Sequence, residues 1–181
     1  LRQNFTFGLS PYYRFREQDQ DLTPRSATGV QPENITAHLY GLEYAKGPLR
    51  LTGEYEDFDS NINPYDAIRL SGELTHRFDK AGTGRLRARW TDIDRADEQD
   101  RRTKFFTIEG RYRQRIGSRF AIEGALLYRT EEDSVSGDDE GVDVDLSLEW
   151  TIRETEVRLT YEFGRFEDDF AENKTQTLYV Q

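Results

Sequence analysis

Apolar and polar residues alternate along most of this chain with a period of two. In residues 142–152 every second position is apolar, and the positions between carry charged or hydroxyl side chains. Such alternation is typical of β-strands whose two faces meet different surroundings. It predicts ten strands, near residues 4–16, 35–45, 49–58, 67–78, 85–93, 104–114, 119–130, 142–153, 156–166 and 175–180.

The second predicted strand is ambiguous, because either of its faces is apolar enough to join the apolar face of the sheet. The two candidate sets are Tyr40, Leu42 and Tyr44, or Ile35, Ala37 and Leu39.

Five of the predicted strands end in the same way, with an aromatic residue followed four positions later by an acidic one. These pairs are Tyr13/Glu17, Tyr55/Asp59, Trp90/Asp94, Tyr128/Glu132 and Phe163/Glu167. Successive pairs are 35 to 42 residues apart, which accommodates two long strands, a tight turn and a longer loop. A general preference of strands for aromatics explains their abundance but not their recurrence before each loop. We therefore interpret the five aromatic residues as one girdle at a membrane interface.

The connections between the predicted strands alternate in length. The short ones lie near residues 46–48, 79–84, 116–118 and 154–155, and the long ones at 17–34, 59–66, 94–103, 131–141 and 167–174. Short turns at one end and long loops at the other are typical of outer-membrane barrels. The strands also reach the length of about 9 to 11 residues that a tilted strand needs to cross a bilayer.

Two kinds of fold contain an antiparallel sheet with one apolar and one ionic face. In a soluble sandwich or barrel the apolar face packs inside, whereas in a membrane barrel it meets lipid and the ionic face lines the lumen. Strand length and loop asymmetry favour the membrane barrel. The sequence thus predicts an all-β, antiparallel up-and-down transmembrane barrel of about ten strands. Residues 1–181 would form one domain, or a segment of a larger barrel, and a soluble interaction module is the alternative.

Composition narrows the possible functions. Charged residues make up 33% of the chain and the net charge is -10, which argues against a nucleic-acid partner. There is no cysteine, so disulfides and thiolate chemistry are excluded. No apolar stretch approaches 18 residues, and the sequence therefore predicts no membrane-spanning helix.

Charged residues of both signs recur on the polar face of the predicted strands, where neighbouring opposite charges would stabilise strand pairing. We predict that they form a charge ladder along the lumen, consisting of Arg69, Glu73, Arg87, Arg89, Glu109, Arg111, Glu123, Asp145, Glu149, Arg158 and Glu162. If ten strands close on themselves, these side chains should fill the lumen and favour a scaffold or anchor. A conducting pore would need more strands.

No motif indicates catalysis, and we expect no enzymatic activity and no cofactor. The two histidines, His38 and His76, lie within predicted strands without a positioned nucleophile beside them. The loop near residue 135 contains weak calcium candidates, but their spacing is not that of an EF-hand, and no metal site is predicted. These candidates are Asp133, Asp138, Asp139 and Glu140.

The five aromatic-to-acid strand exits, the glycine-containing short turns and the run Glu172–Val180 resemble the outer-membrane β-barrels of Gram-negative bacteria. The last run is similar to strand openings in large porin-like barrels. The resemblance implies a bacterial outer-membrane location, with lipid and lipopolysaccharide as partners, and further barrel strands or other envelope proteins beside the chain. It implies a porin-like channel component or a structural scaffold with acidic extracellular loops.

Overall fold

A computed structural model of the chain describes residues 3, 8–22, 31–78, 81–96, 100–152, 155–168 and 171–181. Its secondary structure is ten β-strands. They are β1 (Leu9–Leu22), β2 (Gln31–Lys46), β3 (Leu49–Ser60), β4 (Tyr65–Arg77), β5 (Gly82–Arg95), β6 (Arg102–Ile116), β7 (Phe120–Asp133), β8 (Gly137–Ile152), β9 (Thr155–Glu167) and β10 (Glu172–Val180). Within the described ranges, no helix is long and apolar enough to cross a membrane.

The strands form a single sheet in which spatial order equals sequence order, and each strand is antiparallel to the next. The predicted fold class is therefore confirmed as all-β, with ten antiparallel up-and-down strands. Two short turns require glycine, because Gly47 and Gly117 both have a positive φ, which L side chains rarely adopt.

The loops at one end are shorter than predicted, because the strands continue through much of their polar sequence. Residues 131–141 were expected to form a loop, yet β7 runs to Asp133 and β8 begins at Gly137. The acidic residues expected in this loop consequently lie in a polar hairpin. Paired strands satisfy their backbone hydrogen bonds whatever their side chains are, so the loss of apolar alternation did not mark the strand ends.

The first strand also extends further than predicted: within the described residues β1 runs from Leu9 to Leu22, beyond the predicted end at residue 16. The predicted residues 4–7 and part of the first long loop, 23–30, lie outside the described residues.

The pairing register assigns every strand residue to one of two faces. Trp150 is paired with Phe120 and Val157, and Leu148 with Ile122 and Leu159, so these residues share what we call the apolar face. In β2, Tyr40 is paired with Tyr13 and Tyr55. This resolves the ambiguity: Tyr40, Leu42 and Tyr44 belong to the apolar face, and Ile35, Ala37 and Leu39 to the opposite, ionic face.

Burial is inverted relative to a soluble sheet. The buried apolar residues all lie on the ionic face, and they are Ile35, Ala37, Phe58, Ala67 and Ala121. Large side chains of the apolar face are open, with Tyr40, Leu70 and Leu146 each about half exposed. No second layer of described residues covers them, whereas a soluble protein rarely exposes a contiguous apolar surface of this extent.

The ionic face is concave. Side chains on this face reach across an intervening strand, as when the Tyr12 hydroxyl of β1 donates to Glu54 of β3. Arg113 of β6 likewise contacts Glu149 of β8 at 3.1 Å. The sheet does not close, however: among the described residues, β1 pairs only with β2, and β10 only with β9.

Candidate functional site on the ionic face

All residues of the predicted charge ladder lie on the concave ionic face, as the strand register requires. Charged side chains sit on this face because the opposite face is occupied by aliphatic and aromatic residues at the alternate positions. They are partly enclosed by the curvature of the sheet. Their mutual Coulomb interactions are therefore screened less than those of fully exposed pairs.

Glu73 of β4 joins two arginines of β5. Its Oε2 atom accepts hydrogen bonds from Arg85 Nη2 at 2.8 Å, and from Arg87 Nη2 at 2.8 Å and Nε at 3.1 Å. Arg87 is also 3.9 Å from Glu109 of β6. The Glu73 carboxylate thus neutralises part of the positive charge of Arg85 and Arg87 at the middle of the sheet.

A second group of ion pairs connects β6, β8 and β9 near the short-turn end. Glu149 lies 3.1 Å from Arg113 and 3.6 Å from Arg158. At the other side of the sheet, Arg69 and Glu56 are 2.7 Å apart. Charges of opposite sign on neighbouring strands contribute to strand pairing, and each exposed pair is worth little alone.

Four members of the predicted ladder form no ion pair within 4 Å with any described residue: Arg89, Glu123, Asp145 and Glu162. Asp145 and Glu162 are directly opposite each other on β8 and β9. They help to line a concave cavity of about 630 Å³ that extends from β6 to β10. The ion pairing of the charge ladder is therefore incomplete between β8 and β9, where the carboxylates of Asp145 and Glu162 face the cavity.

The predicted girdle residues Tyr13, Tyr55, Trp90, Tyr128 and Phe163 all lie on the apolar face. Tyr40 lies between Tyr13 and Tyr55, with ring centroids 5.2 and 6.4 Å away. A second aromatic cluster occurs at the short-turn end, where Phe120 stacks on Trp150 at 5.6 Å. Aromatic residues therefore flank the apolar band at both ends.

Comparison with known proteins supports this architecture. No protein-family model matches the chain, and no curated protein matches its sequence. Among solved structures, it is similar to a loop L8 deletion mutant of OmpT, an outer membrane protein of Vibrio cholerae, with a TM-score of 0.51 and 10% identity. The chain shares the antiparallel up-and-down strand arrangement of an outer-membrane β-barrel. The match covers 96% of this chain but only 62% of the Vibrio protein, so the chain spans less than two thirds of that barrel.

The four calcium candidates do not converge. Asp133 and Asp139 lie on the ionic face, whereas Asp138 and Glu140 lie on the apolar face. Within the described part of the chain, no group of three or more histidine, aspartate or glutamate side chains is arranged to hold a metal ion.

The histidines lie on the convex, apolar face. His38 is just beyond the girdle on the loop side, where its Nδ1 atom is 2.7 Å from the Tyr13 hydroxyl, and His76 packs edge-on against Phe78. The expected lack of enzymatic activity stays a prediction.

Asp133 has a role that the sequence did not reveal. Its buried carboxylate accepts hydrogen bonds from Arg101 Nε at 2.8 Å, from the Thr103 hydroxyl at 2.7 Å, and from two backbone amides of the β7–β8 turn. Burial alone would raise the pKa of Asp133. The backbone amides of Ser136 and Val135, together with Thr103 and Arg101, more than offset this and hold that pKa well below its usual range.

Proposed function

We propose that the chain forms part of the wall of a porin-like channel in the outer membrane of a Gram-negative bacterium. The observation that carries this proposal is the inverted burial: the ionic face is concave and sheltered, whereas the apolar face is convex and uncovered. A lipid bilayer would cover such a convex face, and water in a lumen would solvate the ionic one.

The soluble alternative is less well supported. It requires a second sheet, or another part of the same sheet, packed on the apolar side chains. The described residues form one sheet and place no layer there. A soluble module would therefore leave a broad apolar surface in water.

The open edges favour a channel wall over a plugged scaffold. A strand edge facing lipid leaves backbone N–H and C=O groups unsatisfied, which costs several kcal/mol for each group. Further strands beside β1 and β10 would remove both edges and widen the lumen. Their number must be even, because every added neighbour is antiparallel and the two edge strands run in opposite directions.

Outer-membrane lipid, and lipopolysaccharide in particular, is the partner that the loop-side rim would meet. Arg165 and Lys174 are directly opposite each other on the convex face beyond the girdle, and phosphate groups would compete there with their ion pairs to Glu167 and Glu172 at 2.6 to 2.9 Å. Cationic side chains at this level are suited to the phosphate groups of lipopolysaccharide, because they bind phosphate oxygens through charge-assisted hydrogen bonds.

Membrane partitioning followed by conductance measurement tests the proposal. The native protein should remain with outer membranes after high-salt washing, and migrate differently on gels when it is not boiled. In planar bilayers it should produce stable, ohmic conductance steps. Release into buffer without detergent would contradict the membrane location, and a membrane-resident protein without any conductance would contradict the channel.

A further inference from the structure

A cavity of about 340 Å³ opens on the concave face at the loop-side end of β6, β7, β8 and β9. We call it the mouth site. The side chains of the ionic face that line it are Phe105, Thr107, Arg129, Glu131, Asp139 and Phe166. Its volume is within the range of small-molecule sites, which extends from about 300 to 1,000 Å³.

The mouth site adds two aromatic rings to the ionic face. Phe105 and Phe166 lie on the ionic face of β6 and β9, where most other residues of that face are charged or carry a hydroxyl group, and both remain partly exposed. A lumen-facing wall is ordinarily polar. Two half-buried aromatic rings in such a wall offer an apolar contact surface to a solute.

Arg129 is held in place over one of these rings. Its guanidinium carbon lies 5.6 Å from the centroid of Phe166, a cation–π arrangement. The side chain crosses Gly141 to reach that ring. A Cβ atom at position 141 would come within 2.7 Å of Arg129 Nε and 3.1 Å of its Cγ atom. Glycine at position 141 thus makes room for the arginine.

The hydrogen-bonding capacity of Arg129 is not used by a carboxylate, because it forms no ion pair within 4 Å among the described residues. Two carboxylates are nevertheless close. Glu131 is two residues further along β7, and Asp139 of β8 is directly opposite Glu131. The rise of a strand places Glu131 about 7 Å from Arg129 along the strand.

We propose that the mouth site binds zwitterionic solutes of dipeptide size that carry an apolar side chain. Arg129 would bind the solute carboxylate, Glu131 and Asp139 would bind its ammonium group, and Phe105 and Phe166 would contact its apolar part. The proposal rests on the porin-like function for its biological role, but binding itself does not require conduction.

The separation of charges selects this class of solute. A simple anion would be attracted by Arg129 but repelled by the two carboxylates. A simple cation would be attracted by the carboxylates but repelled by Arg129. A free amino acid places its two charged groups only about 3 Å apart, whereas the Cα atoms of Arg129 and Glu131 are about 7 Å apart and the Arg129 guanidinium extends across Gly141 toward β9. The termini of a dipeptide are separated far enough to reach both.

Binding of alanyl-phenylalanine to the purified protein in detergent micelles tests the proposal by calorimetry. Weak, saturable binding in the millimolar range is expected, since a channel site must also release its solute. The N-acetylated dipeptide and the dipeptide amide each lack one charge. Both should bind at least ten times more weakly than the parent dipeptide.

Two substitutions with matched controls assign the site. Arg129→Gln should weaken binding at least tenfold, whereas Arg115→Gln, which removes an exposed arginine from the short-turn end of the same face, should leave it unchanged. Gly141→Ala removes no charge but displaces Arg129, so it should also weaken binding. Gly110→Ala introduces a Cβ that meets no atom within 4 Å and is its control.

The possible outcomes separate this inference from the proposed channel. A folded, membrane-resident protein that binds no dipeptide, or that binds the two blocked analogues as tightly as the parent, overturns the mouth site and leaves the channel proposal standing. Unchanged binding in both the Arg129 and Gly141 variants would also overturn it. Specific binding by a protein without conductance would support the site while contradicting the channel.

Discussion

At the scale of single residues, Asp133 connects three segments at the loop-side end of the sheet. Its carboxylate joins Arg101, which precedes β6, to Thr103 within β6 and to the amides of the β7–β8 turn. These are charge-assisted hydrogen bonds in a buried position. Such bonds contribute more to stability than exposed ion pairs do.

We expect Asp133→Asn to loosen the β7–β8 turn by about 1 to 3 kcal/mol, because the neutral amide cannot satisfy all four donors. Hydrogen exchange at the amides of Val135 and Ser136 measures this local opening. Asp138→Asn is the control, since Asp138 lies in the same hairpin but on the convex face. Equal exchange rates in the two variants would contradict a special role for Asp133.

The same carboxylate should make the turn sensitive to acid. The folded state lowers the pKa of Asp133, so its stabilising contribution is complete above its ordinary pKa of about 3.9. That contribution is lost progressively as the pH falls through the lowered value. Turn protection in the wild type should therefore decrease between pH 5 and the most acidic accessible pH, about 2, while Asp133→Asn shows a smaller dependence.

At the scale of elements, each strand presents an apolar face outward and an ionic face inward. Leu146 of β8 is paired with Gly124 and Tyr161 in the middle of the apolar band. Glu73 occupies the corresponding central region of the ionic face, between two arginines of the adjacent strand. A new charge is therefore expected to destabilise the protein on the apolar face and to be tolerated on the ionic face.

Leu146→Arg should destabilise the folded protein by about 2 to 4 kcal/mol in a bilayer, the cost of a cation at the membrane midplane. The free energy of unfolding in lipid vesicles measures the effect. Thr177→Arg is the control, because Thr177 faces the lumen side opposite Glu162 and the new cation can pair with it. A loss of equal size in both variants would mean that the apolar face does not meet hydrocarbon.

Glu73→Gln should shift ion selectivity toward anions, because it leaves Arg85 and Arg87 without their shared carboxylate. The reversal potential of a planar bilayer under a potassium chloride gradient reports the shift. Glu167→Gln removes the same charge from the convex face and should leave the reversal potential unchanged. If Glu73→Gln also leaves it unchanged, the ladder does not line the conducting path.

At the scale of the whole molecule, the sheet is curved but open. Its two edge strands run in opposite directions and could in principle pair with each other, yet no such pairing is present among the described residues. The match to 62% of a longer barrel is consistent with an arc of a larger cylinder. Among the described residues the ten strands therefore do not form the closed barrel from which a filled lumen was expected.

Engineered cysteine pairs can test closure directly, because the natural chain contains no cysteine. Cysteines replacing Ser10 or Tyr12 on β1 and Thr175 or Thr177 on β10 should not form disulfides within one chain in the membrane. A control pair replacing Arg111 and Ala125, which are direct neighbours on β6 and β7, should cross-link readily. Rapid cross-linking of β1 to β10 within one chain would establish a closed ten-strand barrel.

The sequence by itself determined the local pattern. Strict alternation in residues 142–152 was enough to define both faces of β8, because a strand exposes successive side chains to opposite sides. The aromatic-to-acid repeat located the ends of β3, β5, β7 and β9 to within one residue, but β1 continues well beyond Glu17. The pattern failed where both faces are polar, so the hairpin formed by Asp133 and Gly137 was mistaken for a loop. It also failed where both faces are apolar, as in β2.

Only the tertiary structure decided which face is sheltered, which charges meet, and whether the sheet closes. Alternation is symmetric between the two faces, whereas the contacts across the ionic face join strands that are distant in sequence, such as Tyr12 with Glu54. Arg129 reaches Phe166 only because Gly141 lies between them on the intervening strand. Such contacts depend on strand register and sheet curvature, which arise from the pairing of whole strands and not from any local run of residues.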